Sequence, residues 1–449
     1  MKTLFRFKRT GLAAPAAPRR SRLGGDSMHP NRLFLLAAVA LVAGAAPAWA
    51  GTAELVSVSS SGAPADRSSG DPSISADGRF VAFRSDDNNL APGGTNGDTC
   101  SPIFPDCRGD IFVRDRQLGT TERVGFHTSA SNRERFSGPS ISTDGQMVAF
   151  NISTVQNPEI VNVFFLPPDD PPGLYVRDRR LGTTEQVSPD GFGAVSANGR
   201  FFAFVRTPPQ LFRRPTGVTD VFVRDRQLGT TERVSVGPDG AQAEGGFGSF
   251  SPSISAGGRF VAFESSATNL VPGDTNHASD VFVRDRQLRT TERISVVTGG
   301  AQAEGGQFFG SYNPSISADG QLVAFISTAT NLVPGVTVPG IFVRDRKTGT
   351  TEFVGPSDRG SISADGRFVA FRSSATNLVP GVTEPGTFVR DRQLGTTEFV
   401  GSGDEASISA DGRFVALRVT SNSSQTSNCP GLSGFMTCVF VHDRGPADN

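Results

Sequence analysis

The sequence predicts an all-β fold, a seven-bladed β-propeller of four-stranded antiparallel blades. Three observations carry this: two signatures alternate down the chain seven times each, their spacing matches a blade, and strand motifs at the two ends complement one another. The first signature is Ser-x-Ser-x-x-Gly before a strand, with its glycine at Gly78, Gly145, Gly199, Gly258, Gly320, Gly366 and Gly412. The second is a strand ending Val-x-Asp-Arg before a Thr-rich strand, with its aspartate at Asp115, Asp178, Asp225, Asp285, Asp345, Asp391 and Asp443. The glycines recur at intervals of 67, 54, 59, 62, 46 and 46 residues, against about 40 to 50 for a four-stranded blade with short loops.

One interval shows the elements in order. Pro252-Ser253-Ile254-Ser255 is a short first strand, and Arg259 to Ser265 a second with β-branched and aromatic content. Asp280 to Asp285 makes the third and Thr290 to Val296 the fourth. Ala-Asp-Gly between the first two, and Gln-Leu-Gly-Thr between the last two, supply residues that tolerate positive φ in tight hairpins. No helical periodicity competes. The expected blades are 71–126, 138–189, 191–237, 251–299, 313–355, 360–400 and 405–444.

The last copy ends at its third strand, Val439 to Arg444, with five residues left. The missing fourth strand is offered by the other end, where Thr52 to Val58 reads like the fourth-strand motif Thr231 to Val236. The N-terminal strand, 52–60, is therefore expected to complete the last blade and close the ring, removing exposed sheet edges.

Residues 1–50 are set apart from the propeller. Leu33 to Ala46 is an apolar run preceded by Arg32 and followed by Pro47-Ala48-Trp49-Ala50, the pattern of a signal peptide cleaved near Ala50. Met28 is an alternative start. The run is short for a membrane span and no later stretch reaches about 20 apolar residues. A single exported propeller over 51–449, secreted or periplasmic and monomeric, is expected. Residues 1–50 hold eight Lys or Arg and one Asp, so the remainder carries 35 basic and 43 acidic residues, a net charge of −8. That balance argues against a nucleic-acid partner.

Four cysteines form two local pairs, Cys100 with Cys107 and Cys429 with Cys438. Export favours two disulfides. Zinc is the alternative, disfavoured because neither pair has two-residue spacing and only His442 is near.

The run Ser73-Ile74-Ser75-Ala76-Asp77-Gly78-Arg79-Phe80-Val81-Ala82-Phe83 resembles the WD-like propeller repeat of the TolB type, Ser-x-Asp-Gly-x-x-Ile-Ala-Phe. The resemblance covers 52–444, with Asn198 and Gly257 in place of the turn aspartate and Leu417 in place of the strand phenylalanine. It implies a propeller and nothing about role, because the domain that precedes the blades in TolB has no counterpart here.

Repetition separates scaffold from site. Residues present in every blade, such as the Asp-Arg pairs around Asp225 and phenylalanines of the Phe260, Phe263 and Phe282 kind, are read as blade structure. The hairpins before the second and fourth strands are short and uniform, whereas the other two joins vary. Alternate joins emerge on opposite faces, so one face is uniform and the other variable, and the variable face is the binding candidate. It is expected to present His127, Phe164, Phe165, Asp169, Asp170, Arg213, Arg214, Phe247, Phe250, Phe308, Phe309 and Tyr312. The alternative is that these aromatics only pin long loops.

Asp274, Asn276 and Asp280 have oxygen ligands at the spacing of a small calcium loop. Val336 and Val382 replace Asp274 in the next two blades, which favours a solvated turn. Calcium is the one cofactor the sequence offers. Beyond the leader the histidines are only His127, His277 and His442, and no nucleophile or metalloprotease motif occurs. The reading is a non-catalytic propeller that binds protein or glycan. The alternative is a hydrolase or lyase acting on glycan or lactone through channel carboxylates and a divalent ion.

Overall fold

The computed structural model describes residues 51–87, 89–92, 109–125, 134–154, 171–189, 191–206, 210–211, 214–215, 218–304, 310–420, 429 and 436–446. All described residues lie in one compact unit, Pro47–Asn449. Seven four-stranded antiparallel sheets form a ring, spanning residues 69–125, 134–188, 193–233, 249–293, 311–355, 359–401 and 403–443, the last joined by Thr52–Leu55. A two-stranded ribbon, Gln210–Leu211 with Arg214–Pro215, projects from the third blade. No helix among the described residues is long and apolar enough to cross a membrane.

Each first hairpin is made by its own side chains. The Ser75 hydroxyl donates to Asp77 at 2.6 Å and accepts the Phe80 N–H at 2.9 Å, while Asp77 accepts the Arg79 N–H at 3.0 Å. Asn198 does the work of the aspartate in blade 3, accepting from the Ser196 hydroxyl at 2.7 Å.

The strands differ from expectation at both edges of the blade, and the blade 4 fourth strand ends at Arg293 rather than Val296. In blade 4 the first strand starts at Ser249 rather than Pro252, and the ladder shifts register between Phe250 and Ser253. Proline cannot donate to the ladder. A bulge with Ser251 at φ 51° carries the chain past it, and Asp71 and Asn313 repeat the device at φ 52° and 50°.

The core lies between neighbouring sheets. In six blades an aromatic on the second strand stacks on one across the third, as in Phe83 on Phe112 and Phe263 on Phe282, both at 5.9 Å between centroids. Blade 7 places Leu417 opposite Phe440.

Two systems join the blades. The first hairpins of neighbouring blades bond directly: the N–H of Ala76 donates to the Thr143 carbonyl at 3.2 Å, and the same link recurs at 143–197, 256–318, 318–364, 364–410 and 410–76. The third-to-fourth junction is the exception among these described residues. Further out, the arginine after each repeated aspartate reaches the preceding blade. Arg116, Arg179, Arg226, Arg286, Arg346, Arg392 and Arg444 pair with Glu54, Glu122, Glu185, Glu232, Glu292, Glu352 and Glu398.

Five of these arginines, Arg116, Arg179, Arg286, Arg346 and Arg444, also cover the phenylalanine that opens the preceding blade's second strand. Phe80 lies between the guanidinium groups of Arg79 and Arg179, at 4.7 and 4.6 Å from its centroid. The turn glycine sits against the same ring: a Cβ on Gly145 would stand 2.2 Å from Phe80. No other residue type fits there.

At the seam, Thr52–Leu55 pairs with Thr437–Asp443, Thr52 opposite Asp443 and Leu55 opposite Phe440. Glu54 accepts from Arg116 at 2.9 Å, so the first strand supplies the seventh link. Deleting residues 51–60 is expected to lower the unfolding midpoint of the whole ring in a thermal or urea melt. An unchanged midpoint would show that the ring does not depend on this strand.

The paired aspartates set an acid limit. Arg79, Arg200 and Arg413 bond Asp115, Asp225 and Asp443 through two nitrogens each and hold these carboxyls below the usual range, Asp225 at about 2. A depressed carboxyl contributes stability above its unfolded value near ~4, and loses it as pH falls through the folded value. The melting temperature should therefore drop between about pH 4 and 2. Arg200→Gln should flatten that drop, as read from melts across the same pH series.

Candidate functional site

The site candidates lie at the face opposite the short hairpins. Arg79, in the first hairpin of blade 1, bonds Asp115 at the start of the second, which places both on one face. The two long joins occupy the other. Of the predicted residues, His127, Phe164, Phe165, Asp169, Asp170, Arg213, Phe308 and Phe309, with Cys100 and Cys107, lie outside the described residues. Arg214 is placed only by its backbone, in the blade 3 ribbon. Cys429 and Cys438 form a disulfide against the blade 7 core.

The three described aromatics divide. Phe247 is 90% exposed. Phe250 packs on the core between blades 3 and 4, and Tyr312 on the core between blades 5 and 6. Both lie in the first strand of their blade. Burial, with the charges of Asp358 and Glu264 next, raises the Tyr312 phenol above its ordinary range.

The calcium-like loop contains its own cation. Arg293 approaches Asp274 at 3.3 Å and Asp280 at 3.5 Å, and both carboxylates are almost fully buried. Asp280 also accepts from the Ser295 hydroxyl and from the Asn276 amide at 3.0 Å. The Asn276 amide donates again, to the Ala303 carbonyl at 3.1 Å, so its nitrogen rather than its oxygen faces the carboxylate. The cavity beside Asn276, Asp280, Glu304 and Gly310 has a volume of about 40 Å³, room for solvent and not for a sugar. Among the described residues no group of three or more His, Cys, Asp or Glu could hold a metal.

A constellation absent from the prediction lies at the channel mouth, where the first strands of blades 6, 7 and 1 meet. Glu405 accepts from Arg359 and Arg418 at 2.9 Å each, and its other oxygen accepts the Asp71 N–H at 3.2 Å. Arg418 also grips Asp404 through two bonds of 2.8 and 2.6 Å. Arg372 pairs with Asp358 at 2.5 Å. On the far side, Glu264 accepts the Asn313 N–H at 2.8 Å. Burial raises the carboxyls of Glu405 and Glu264, for Glu405 against the pull of Arg418.

The signal for this cluster was in the repeat. The residue at the end of the second strand, after Phe in six blades and Leu417 in the seventh, is Arg84, Asn151, Val205, Glu264, Ile326, Arg372 and Arg418. Charge that varies at one register position of an otherwise constant strand marks a position outside the blade's own needs.

No family model and no curated protein matches the chain. Among solved structures, an oligogalacturonate lyase in complex with manganese is similar at 11% identity and a TM-score of 0.55, over 88% of this chain and 94% of that one. The β-propeller domain of the trilobed protease from Pyrococcus furiosus is similar at 10% identity and 0.51, over 85% and 99%. TolB from Acinetobacter baumannii follows at 15% identity and 0.41, over 73% and 77%, a superposition on which nothing further is built.

The Asp274 environment yields a prediction. Burial, and then the charge of Asp280, raise its carboxyl to about 6. A carboxyl raised on folding has its full stabilising effect below its unfolded value and loses it as pH rises through the folded one. Asp274→Asn should match the parent near pH 4 and exceed it near pH 7.5 by about 1 to 2 kcal/mol, allowing for solvent screening. Equal melting temperatures across that range would refute the assignment. Calcium should leave both midpoints unmoved, since the guanidinium stands where the ion would. The comparisons above establish the fold, and the chain is a seven-bladed β-propeller.

Proposed function

We propose that this chain is an exported, non-catalytic propeller that binds a protein or glycan ligand through its variable face, with the channel mouth as its centre. The observation that carries this reading is the division of labour between the faces. The repeated Asp, Arg, Glu and Phe residues are committed to one another at the uniform face, and the unrepeated charges gather at the mouth. Arg359 is half exposed while held by Glu405, a preorganised donor for carboxylate or hydroxyl groups of a ligand. The Cys429–Cys438 disulfide supports export to the periplasm or beyond.

A second reading is a lyase or hydrolase, favoured by Glu405 and Glu264, whose carboxyls burial raises above the ordinary range. The lyase among the similar structures keeps that reading in view, on fold analogy alone.

Glycan and peptide arrays probed with the mature chain test the proposal. The strongest ligand should lose at least about tenfold in affinity in Arg359→Ala, the scale of one charge-assisted hydrogen bond. It should be unaffected by alanine at the exposed uniform-face leucines Leu118, Leu228 and Leu288. The reverse pattern would move the site to the other face. Turnover of oligouronates or lactones with calcium or manganese, abolished by chelator, would overturn the non-catalytic reading.

A further inference from the structure

We infer that the variable face of blade 6 holds an open receptor for an extended, alanine-centred segment of a partner protein, clasped by Asn377. The inference names a partner class for the binding role proposed above and rests on it, with residues outside the mouth cluster. The same receptor is already filled by this chain elsewhere in the ring. The join after the second strand of blade 4 reads Ser265-Ser266-Ala267-Thr268-Asn269-Leu270-Val271-Pro272-Gly273, and the same nine residues recur as 373–381 in blade 6. Blade 5 differs only by Thr328.

In blades 4 and 5 the long join arriving from the preceding blade lies across this turn. The Asn269 amide donates to the Gln242 carbonyl at 2.8 Å and its oxygen accepts the Glu244 N–H at 2.8 Å, so one side chain holds both peptide groups around Ala243. The Thr268 N–H completes the clasp by donating to the Glu244 carbonyl at 3.1 Å. Asn331 and Thr330 repeat all three bonds on Gln302-Ala303-Glu304, at 3.0, 2.8 and 2.9 Å. In blade 1, Asn89 donates to the Pro64 carbonyl at 3.2 Å, just before Ala65. Each central alanine is buried in one cluster with the leucine of its turn: Ala243 with Leu270, Ala303 with Leu332 and Ala65 with Leu90, every leucine 1% exposed.

Blade 6 has the receptor without the segment. Its arriving join is three residues, Pro356-Ser357-Asp358, and contributes no such triplet. The turn is nevertheless formed as in blade 5. The Ala375 N–H donates to the Ser373 hydroxyl at 3.2 Å where Ala329 donates to Ser327 at 3.1 Å, and the Val382 N–H donates to the Val379 carbonyl at 3.2 Å where Val336 donates to Val333 at 3.1 Å. Among the described residues the Asn377 side chain and the Thr376 N–H then meet no partner, Asn377 is exposed, and Leu378 is only partly buried. A preformed turn with donor, acceptor and apolar floor in place binds an extended chain at little ordering cost.

The filled copies identify the occupant. Asn269 and Asn331 read only main-chain groups, so the first residue of the triplet is free to be Pro64 or Gln242, whereas the buried second residue is alanine in all three. A larger side chain there would have to displace the turn's leucine.

The test uses labelled Gly-Ala-Gln-Ala-Glu-Gly-Gly, the sequence of residues 240–246, with the mature chain, read by fluorescence anisotropy. The peptide should bind, and a version with leucine for the central alanine should bind about tenfold more weakly. Asn377→Ala should cost about tenfold through the two lost hydrogen bonds. That variant should melt with the parent, because its side chain is exposed, while Asn269→Ala, which breaks a filled clasp, should melt lower. No binding, equal binding of the leucine peptide, or affinity unchanged in Asn377→Ala would each overturn the inference. A dimer in sedimentation that Asn377→Ala dissolves would make the occupant a second copy of this chain and overturn the partner assignment. Any of these results alongside an array ligand that depends on Arg359 would leave the broader binding role standing. Failure of both experiments would remove both.

Discussion

The ring depends on one arginine, the residue after the repeated aspartate. A single exposed ion pair contributes about 0 to 1 kcal/mol, and seven such pairs would not by themselves define a fold. This side chain does three things together: Arg444 covers Phe368, pairs with Glu398 and donates to the Gly412 carbonyl. It thereby closes the wet end of an interface whose dry part is aromatic. The identity of the covered residue is tied to a second arginine. Where it is Phe, the preceding residue is Arg79, Arg200, Arg259, Arg367 or Arg413, and the ring is sandwiched; where it is Met147 or Leu322, that residue is Gln146 or Gln321. Cation and π-face come and go as a pair, as expected if the contact itself is what stabilises the junction.

A similar exchange explains the calcium-like loop. The third strand opens with Asp110, Asp220 or Asp280 in the blades whose fourth strand carries Arg123, Arg233 or Arg293, and each aspartate meets its arginine at 3.0 to 3.5 Å. In blades 5 and 6 the same two positions are Gly340 with Phe353 and Gly386 with Phe399, and a Cβ on either glycine would stand 2.5 Å from the ring. One volume between two strands is filled by a buried ion pair or by a phenyl ring. Asp280 therefore answers to its arginine, and the oxygen-rich spacing around it follows from capping a strand end.

Much of this was legible in the sequence because a propeller repeats its chemistry. Glycine, aspartate and arginine at fixed register gave the blade count, and the unmatched motif at each end located the strand that pairs with Thr437–Asp443. The bulge at Ser251 was illegible, since the residue before a proline is ordinarily extended, and only the pairing of Phe250 with Glu264 shows otherwise. The mouth cluster was hidden for a different reason. Asp71, Arg359 and the neighbouring Asp404 and Glu405 lie far apart along the chain and converge only because blades 6, 7 and 1 are consecutive around the ring. Phe250 and Tyr312 were singled out for being aromatic, yet they pack on the core, whereas Phe247 in the same class is held outside it.

The two faces of the ring are consequently unequal in what they can offer a ligand. At the uniform face the first hairpins of neighbouring blades are tied to each other by main-chain bonds at six junctions. At the variable face, blades 6, 7 and 1 present Arg359, Arg372 and Arg418 interleaved with Asp358, Asp404 and Glu405. Interleaved charges already satisfied by one another discriminate by shape and by donor position, because a ligand must replace bonds of similar strength.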